Sequence, residues 1–360
     1  MTQHPTPNDF DGSMSAKPSV ALIGEGPTAL AALQSLLRCC TVVGILRTVD
    51  NPAEDPVHKL AAETGIPMTS WKGPEQLEQF LTSIRPAGVV ISSFNLILPP
   101  PILRLSRFIN VHFSLLPRYR GRANVNWAMI NGEHLAGISV HLVEPGLDSG
   151  NIIFQSSTPI GTNDSVASVY ERLNAIQQDE LGPAVVRAIG GYAGVAQDHR
   201  EATYGCGRVP DDGEIDWSKS TSSIDRLVRA LAPPFPGAFT HIEMEQLIIA
   251  RAAPVLDPPI YSGRVPGRIV GRSRAGGWVD VLTGDGVFRI FEVIASGSKS
   301  SCPATTFIRS TRQTLGLSRL DLLRRVLALE QQVRTLSSTP PKAVGSEEIA
   351  DTVGDHSREN

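Results

Sequence analysis

Along the first two hundred residues, short apolar runs alternate with longer stretches whose apolar residues recur every three or four positions. From Ser19 the run Val20 through Ile23 is uniformly apolar and too short for a helix, as a strand buried on both faces is. It meets the turn Gly24-Glu-Gly26-Pro-Thr-Ala29 and an apolar helical stretch ending at Leu37. Residues 42–46 predict a second strand, 56–65 a helix, 66–67 the start of a short strand, 74–84 a helix, and 87–92 a strand. Apolar residues lead into Asn110. A helix follows over 125–130, a strand over 137–143 and an extended piece over 151–159. Asp164 or Ser165 is placed to cap a helix over 166–189. This alternation predicts an α/β fold with a doubly wound, mostly parallel sheet.

The pattern changes after residue 205. Residues 218–232 predict a helix with apolar Ile224, Leu227, Val228 and Leu231, followed by a proline-rich turn and short strands through Ile294. Leu322, Val326, Leu329, Val333 and Leu336, spaced alternately four and three apart, predict an amphipathic helix within 313–337. That stripe either packs back on the chain or pairs with a second subunit as a homodimer. Residues 1–17 and 338–360 lack any periodic apolar pattern and read as disordered tails, the second acidic. The expected organisation is a catalytic domain over 18–205 and a smaller domain over 206–312.

Composition narrows the class. With 41% hydrophobic and 19% charged residues, 360 residues suit a soluble two-domain protein, and a net charge of −3 gives no global basic field. Cys39, Cys40, Cys206 and Cys302 form no CxxC pair, as expected of a reducing, cytoplasmic setting. No apolar run reaches the roughly 18 residues of a membrane span.

The candidate chemistry lies in Asn110-Val-His112-Phe-Ser114-Leu115-Leu116-Pro117-Arg-Tyr-Arg-Gly121 and in Gly146-Leu-Asp148-Ser-Gly150. In an extended chain Asn110 and His112 point to one face and Val111 to the other. An amide, an imidazole and the Asp148 carboxylate form a cluster suited to proton transfer on an uncharged electrophile. The imidazole moves the proton, the amide stabilises an oxyanion, and the carboxylate holds the tautomer and favours the cation. Taken alone, Asn-x-His at a strand end is more often a cap than a catalyst.

The whole string, with Asn126-Trp-Ala beyond it, resembles the signature of the folate-dependent formyltransferases, which include methionyl-tRNA formyltransferase and enzymes acting on nucleotide-linked amino sugars. Weaker similarity runs from about Ser19 to Thr240, and the strings Asp212-Gly-Glu-Ile-Asp-Trp217 and Arg229-Ala-Leu…Pro236-Gly-Ala are closest to the sugar-modifying members. The resemblance implies a Rossmann-like first domain, a small C-terminal β-barrel, and formyl transfer from 10-formyltetrahydrofolate to a primary amine, with no metal. It implies that Asn110, His112 and Asp148 are catalytic. Phe94, Asn95, Leu96, Ile97 and Leu98 would hold the pterin, largely through backbone groups. Ser114, Leu115, Leu116 and Pro117 would wall the folate, and Arg122 would reach the cofactor or a phosphate. The family's usual proline after Arg-Gly-x-Ala is Asn124 here.

Two alternatives stay open. Gly24-x-Gly26-x-x-Ala29 has the form of a dinucleotide fingerprint, which would make the chain an NAD(P)-dependent oxidoreductase. The second strand ends in Leu46-Arg47 instead of an acidic residue, and Pro27 removes a backbone donor, so a packing turn is favoured. For the acceptor, methionyl-tRNA formyltransferases carry a basic insertion after the second strand. Here Asp50, Glu54 and Asp55 occupy a short acidic stretch, so an amino-sugar nucleotide is expected and tRNA disfavoured, though Arg264, Arg268, Arg272 and Arg274 offer a basic patch.

Overall fold

The computed structural model describes residues 16–48, 55–94, 98–317 and 319–338. Elements in chain order begin with β1 (Ser19–Gly24), α1 (Gly26–Cys39), β2 (Thr41–Arg47), α2 (Pro56–Thr64), β3 (Met68–Ser70), α3 (Pro74–Ile84) and β4 (Gly88–Ser92). There follow α4 (Pro100–Leu103), β5 (Arg107–His112), β6 (Arg120–Gly121), α5 (Asn124–Ile130), β7 (Leu135–Leu142), β8 (Ile152–Pro159) and α6 (Val166–Ile189). The seven-stranded sheet runs β3-β2-β1-β4-β5-β7-β8. Every pair from β3 to β5 is parallel, and β5-β7 and β7-β8 are antiparallel. The antiparallel edge follows from spacing: the link from Leu142 to Ile152 is too short for the helical crossover that a parallel pair needs.

In strand β1 the four residues Val20–Ile23 are buried on both faces of the sheet. Val20 and Leu22 join the core under α1 and α6, while Ala21 and Ile23 join the core under α3 and α4. Helix α6 is capped by Ser165, whose side chain accepts from the Ser168 N–H at 3.3 Å, so of the two candidate caps it is the serine. Midway, Gly182 lets α6 approach α1 closely, since a Cβ there would lie 2.7 Å from the Ser35 carbonyl oxygen.

Beyond α6 come β9 (Tyr204–Gly205), α7 (Thr221–Ala230), β10 (Phe239–Ile242), β11 (Glu245–Pro254), β12 (Ile269–Ser273), β13 (Trp278–Leu282), β14 (Val287–Ala295) and β15 (Cys302–Pro303). Helix α7 is shorter than the periodicity over 218–232 suggested, because Ser220 caps it. The second sheet is antiparallel, ordered β10-β11-β14-β13-β12 with β15 on β14, around a separate core of Trp217, Leu247, Val279, Phe288 and Ile290. Among the described residues no ladder joins β10 to β12 directly; the segment 313–316 links them, the Ile269 N–H donating to the Gln313 carbonyl at 3.2 Å and the Gly316 N–H to the His241 carbonyl at 2.8 Å.

Both cores lie in one compact unit ending at Gly316. Asn126 Nδ2 donates to the Ala230 carbonyl at 2.7 Å, and Arg226 Nε to that of Ile130 at 3.1 Å, tying α5 to α7. The second unit contains helix α8 (Arg319–Ser338), on which Leu322, Val326, Leu329 and Val333 are exposed. No helix among the described residues is long and apolar enough to cross a membrane.

Candidate active site

The carboxyl end of β5 carries Asn110 and His112 on one face, and Val111 turns into the core. Asp148 arrives from the loop between β7 and β8. Its backbone is left-handed, φ 47°, a conformation that costs a non-glycine residue roughly 1–2 kcal/mol. Two contacts hold it there. The Gly121 N–H donates to Asp148 Oδ2 at 2.8 Å, and Gln197 Nε2 donates to the Asp148 carbonyl at 2.8 Å. Gln197 is in turn gripped by buried Arg120, whose Nη2 lies 2.7 Å from its Oε1.

Asp148 stands between two imidazoles. Oδ2 is 3.6 Å from His112 Nδ1, and Oδ1 is 3.6 Å from His141 Nε2. His141, 1% exposed, is the cross-strand partner of Asn110. Sequence reasoning missed it, although its register opposite Asn110 follows once β7 is known to pair with β5.

His112 is nearly fully buried, and its Nε2 lies 2.7 Å from the Tyr119 carbonyl oxygen. A carbonyl only accepts, so Nε2 carries the hydrogen and Nδ1 is the basic nitrogen facing Asp148. Asn124 completes this arrangement. With its Oδ1 turned to His112 Nε2, 3.0 Å away, its nitrogen donates to the Tyr119 and Arg122 carbonyls at 3.1 Å each. The proline usual at this position has no such side chain. The tautomer is therefore fixed by Tyr119 and Asn124, whereas the sequence reading gave that task to Asp148 along with favouring the cation; only the second role is left to Asp148. Burial pushes the His112 pKa below 6.5, against the pull of Asp148 and the Tyr119 carbonyl. Burial would raise the Asp148 pKa, but His141, His112 and the Gly121 N–H outweigh it and hold it at about 2.

The other expected residues divide. Phe94 packs edge-on to Trp71, ring centroids 5.5 Å apart, and Leu98 is buried beside it. Asn95, Leu96 and Ile97 lie outside the described residues. Ser114 and Leu116 are buried and hydrogen-bonded into the fold: Ser114 Oγ donates to the Arg118 carbonyl at 2.8 Å, and the Leu116 N–H to Ser139 Oγ at 3.2 Å. Leu115 and Pro117 are half-buried, and Arg122 is exposed.

Of the acidic stretch, residues 49–54 lie outside the described residues. Asp55 is not a free surface charge. It pairs with Arg47, both side chains buried, and caps α2 through the Val57 and His58 N–H groups at 3.3 Å each. Arg47 thus occupies the end of β2 where a dinucleotide fold would bind ribose, and it is committed internally. Gly24 serves packing: a Cβ there would fall 1.9 Å from the Ser92 carbonyl oxygen.

Family models for the formyl transferase domain and for the formyl transferase C-terminal domain match residues 44–186 and 209–312. A methionyl-tRNA formyltransferase from Marinobacter nauticus is 34% identical over 295 residues, 78% of this chain and 93% of that protein. The chain belongs to the formyl transferase family. It is a formyltransferase, and the dinucleotide reading of the Gly24 turn is set aside. Among solved structures, an N-formyltransferase from Helicobacter canadensis in complex with folinic acid and dTDP-3-aminofucose superposes with TM-score 0.58 at 18% identity, covering 75% of this chain and 97% of that one. HypX from Aquifex aeolicus in complex with tetrahydrofolic acid superposes with TM-score 0.56 at 15% identity over 82% of this chain. The present chain spans about half the length of HypX, 48%. Both likenesses concern the formyl transferase fold.

Proposed function

We propose that this formyltransferase moves a formyl group from 10-formyltetrahydrofolate to the amino group of methionyl-tRNA. The chemistry rests on one observation: Asp148 comes within 3.6 Å of His112, two residues from Asn110 at the carboxyl end of β5, with the basic nitrogen of His112 turned toward the carboxylate. The reduced folate supplies a formyl carbon on N10. As the acceptor nitrogen bonds to that carbon, an Asn110 N–H stabilises the charge developing on the formyl oxygen. His112 Nδ1 takes the proton the amine loses, and Asp148 steadies the imidazolium. The bond from carbon to N10 breaks, N10 gains a proton, and the products are the N-formyl amine and tetrahydrofolate. Beyond the end of β4, the flat Phe94 ring and the apolar Leu98 side chain suit a pterin.

The named activity of the 34% identical relative supports the tRNA acceptor. So does an open cleft of about 820 Å³ in the second sheet, lined by Arg272, Arg274 and Arg309, which suits a phosphate backbone. Arg264 and Arg268, also expected in this patch, donate to Thr283 and Thr314. An amino-sugar nucleotide is the second reading, favoured by the lack of any lysine or arginine between Arg47 and Lys59. The test compares charged initiator tRNA with a panel of amino-sugar nucleotides at physiological salt, following tetrahydrofolate release. The tRNA should be formylated efficiently, and reversing Arg274 and Arg309 to glutamate should weaken it and flatten the salt dependence. Turnover of a sugar with none of tRNA reverses the choice of acceptor.

A further inference from the structure

His141 is a buried imidazole at the centre of the site that the proposed reaction leaves without a task. It lies on β7 directly opposite Asn110 on β5. Its Nδ1 is 2.8 Å from the Leu142 carbonyl oxygen. That oxygen only accepts, so Nδ1 carries the hydrogen and the neutral ring leaves Nε2 as a bare lone pair. The lone pair is 3.1 Å from the Asn110 amide nitrogen, within hydrogen-bond range. Asp148 Oδ1, 3.6 Å away, is itself only an acceptor and offers that lone pair no hydrogen. Among the described residues, Asn110 has no other side-chain hydrogen bond.

An asparagine amide is a donor on one side and an acceptor on the other, and rotating its last torsion by half a turn exchanges them. We propose that His141 is the positioning residue that sets this polarity. Its lone pair accepts one N–H of Asn110, which turns the amide nitrogen toward β7 and leaves the second N–H for the formyl oxygen. In the flipped amide a carbonyl would face the lone pair, two acceptors in opposition, and the donor would be lost. His141 thereby acts on the reaction through Asn110 without touching substrate. The two rings carry opposite tautomers: His112 presents Nδ1 and His141 presents Nε2, set edge to face at 80°. This inference rests on the reading of Asn110 as the oxyanion donor.

Two measurements test it. His141→Phe keeps a ring of similar size and removes the acceptor; His141→Gln restores an acceptor at similar reach. The phenylalanine variant should lose about a hundredfold in kcat, the scale of a misplaced reacting group, with KM for the formyl donor little changed. The glutamine variant should recover most of that loss. In an Asn110→Ala background His141→Phe should cost nothing further, because its whole effect runs through the amide. Additive losses would overturn the inference. Independently of turnover, nitrogen NMR of histidine-labelled protein should show a neutral His141 protonated on Nδ1, with an Nε2 resonance that moves on Asn110→Ala. A ring protonated on Nε2, or one indifferent to Asn110→Ala, overturns it. Wild-type protein inactive on every acceptor would count against the proposed function, while the spectra would still decide the role of His141.

Discussion

His112 and Asp148 make the site sensitive to acid in a definite direction. Burial lowers the His112 pKa first, and Asp148 opposes that. The acid limb of kcat should therefore lie below pH 6.5. Asp148→Asn removes the opposing charge, so the limb should move to still lower pH while kcat falls, and a limb that moved upward would contradict the assignment. His112→Ala should cost about a hundredfold or more in kcat, the range for an acid–base group. Stability has the same sign. The folded His112 binds a proton less readily than the unfolded chain, so its contribution is complete above about 6.5 and declines below it. Asp148, held at about 2 against an ordinary 3.8, contributes fully above 3.8 and loses that contribution as pH falls toward 2. Denaturant titrations from pH 7 to 3 should show stability falling, and a flat profile would refute both.

At the scale of elements, the end of β2 and the start of α2 are joined by one buried pair. Arg47 and Asp55 are 4% and 8% exposed at their side chains. Removing one partner leaves an uncompensated buried charge. Asp55→Ala should therefore cost about 3–5 kcal/mol, part of it from the lost cap on α2. Equilibrium unfolding measures it, and a loss below 1 kcal/mol would mean that water reaches Arg47. The same element bears on how the acidic stretch reads in the sequence. A run of carboxylates looks like a repulsive surface, yet its last member neutralises an arginine eight residues earlier in the sequence.

For the whole molecule, the decisive distinction is between a folate and a dinucleotide at the carboxyl edge of the sheet. A reduced folate should raise the melting temperature by mass action, by about 2.7 kcal/mol of added stability at a hundredfold excess over Kd. NAD and NADP should leave it unchanged, since Gly24 is filled by the Ser92 carbonyl and Arg47 is committed to Asp55. Stabilisation by a nicotinamide cofactor alone would revive the dinucleotide reading.

Much of this was legible in the chain. Uniformly apolar runs marked strands buried on both faces, the three-and-four spacing over 166–189 gave α6 to the residue, and Asn-x-His fixed which two side chains share a face, because strand periodicity is local. The specific string around Asn110 pointed to the formyl transferase family, which the family models match. Local pattern carries no information about which distant residues a loop or neighbouring strand delivers. His141 reaches Asn110 only through the antiparallel register of β5 and β7, and Gln197 reaches the Asp148 backbone from beyond α6. The tautomers were decided in the same way, since a ring nitrogen takes the hydrogen that its nearest carbonyl demands. Residue types and spacing determined the fold class and the chemical inventory of the site; tertiary contacts decided which nitrogen of each histidine is basic and what holds the carboxylate between them.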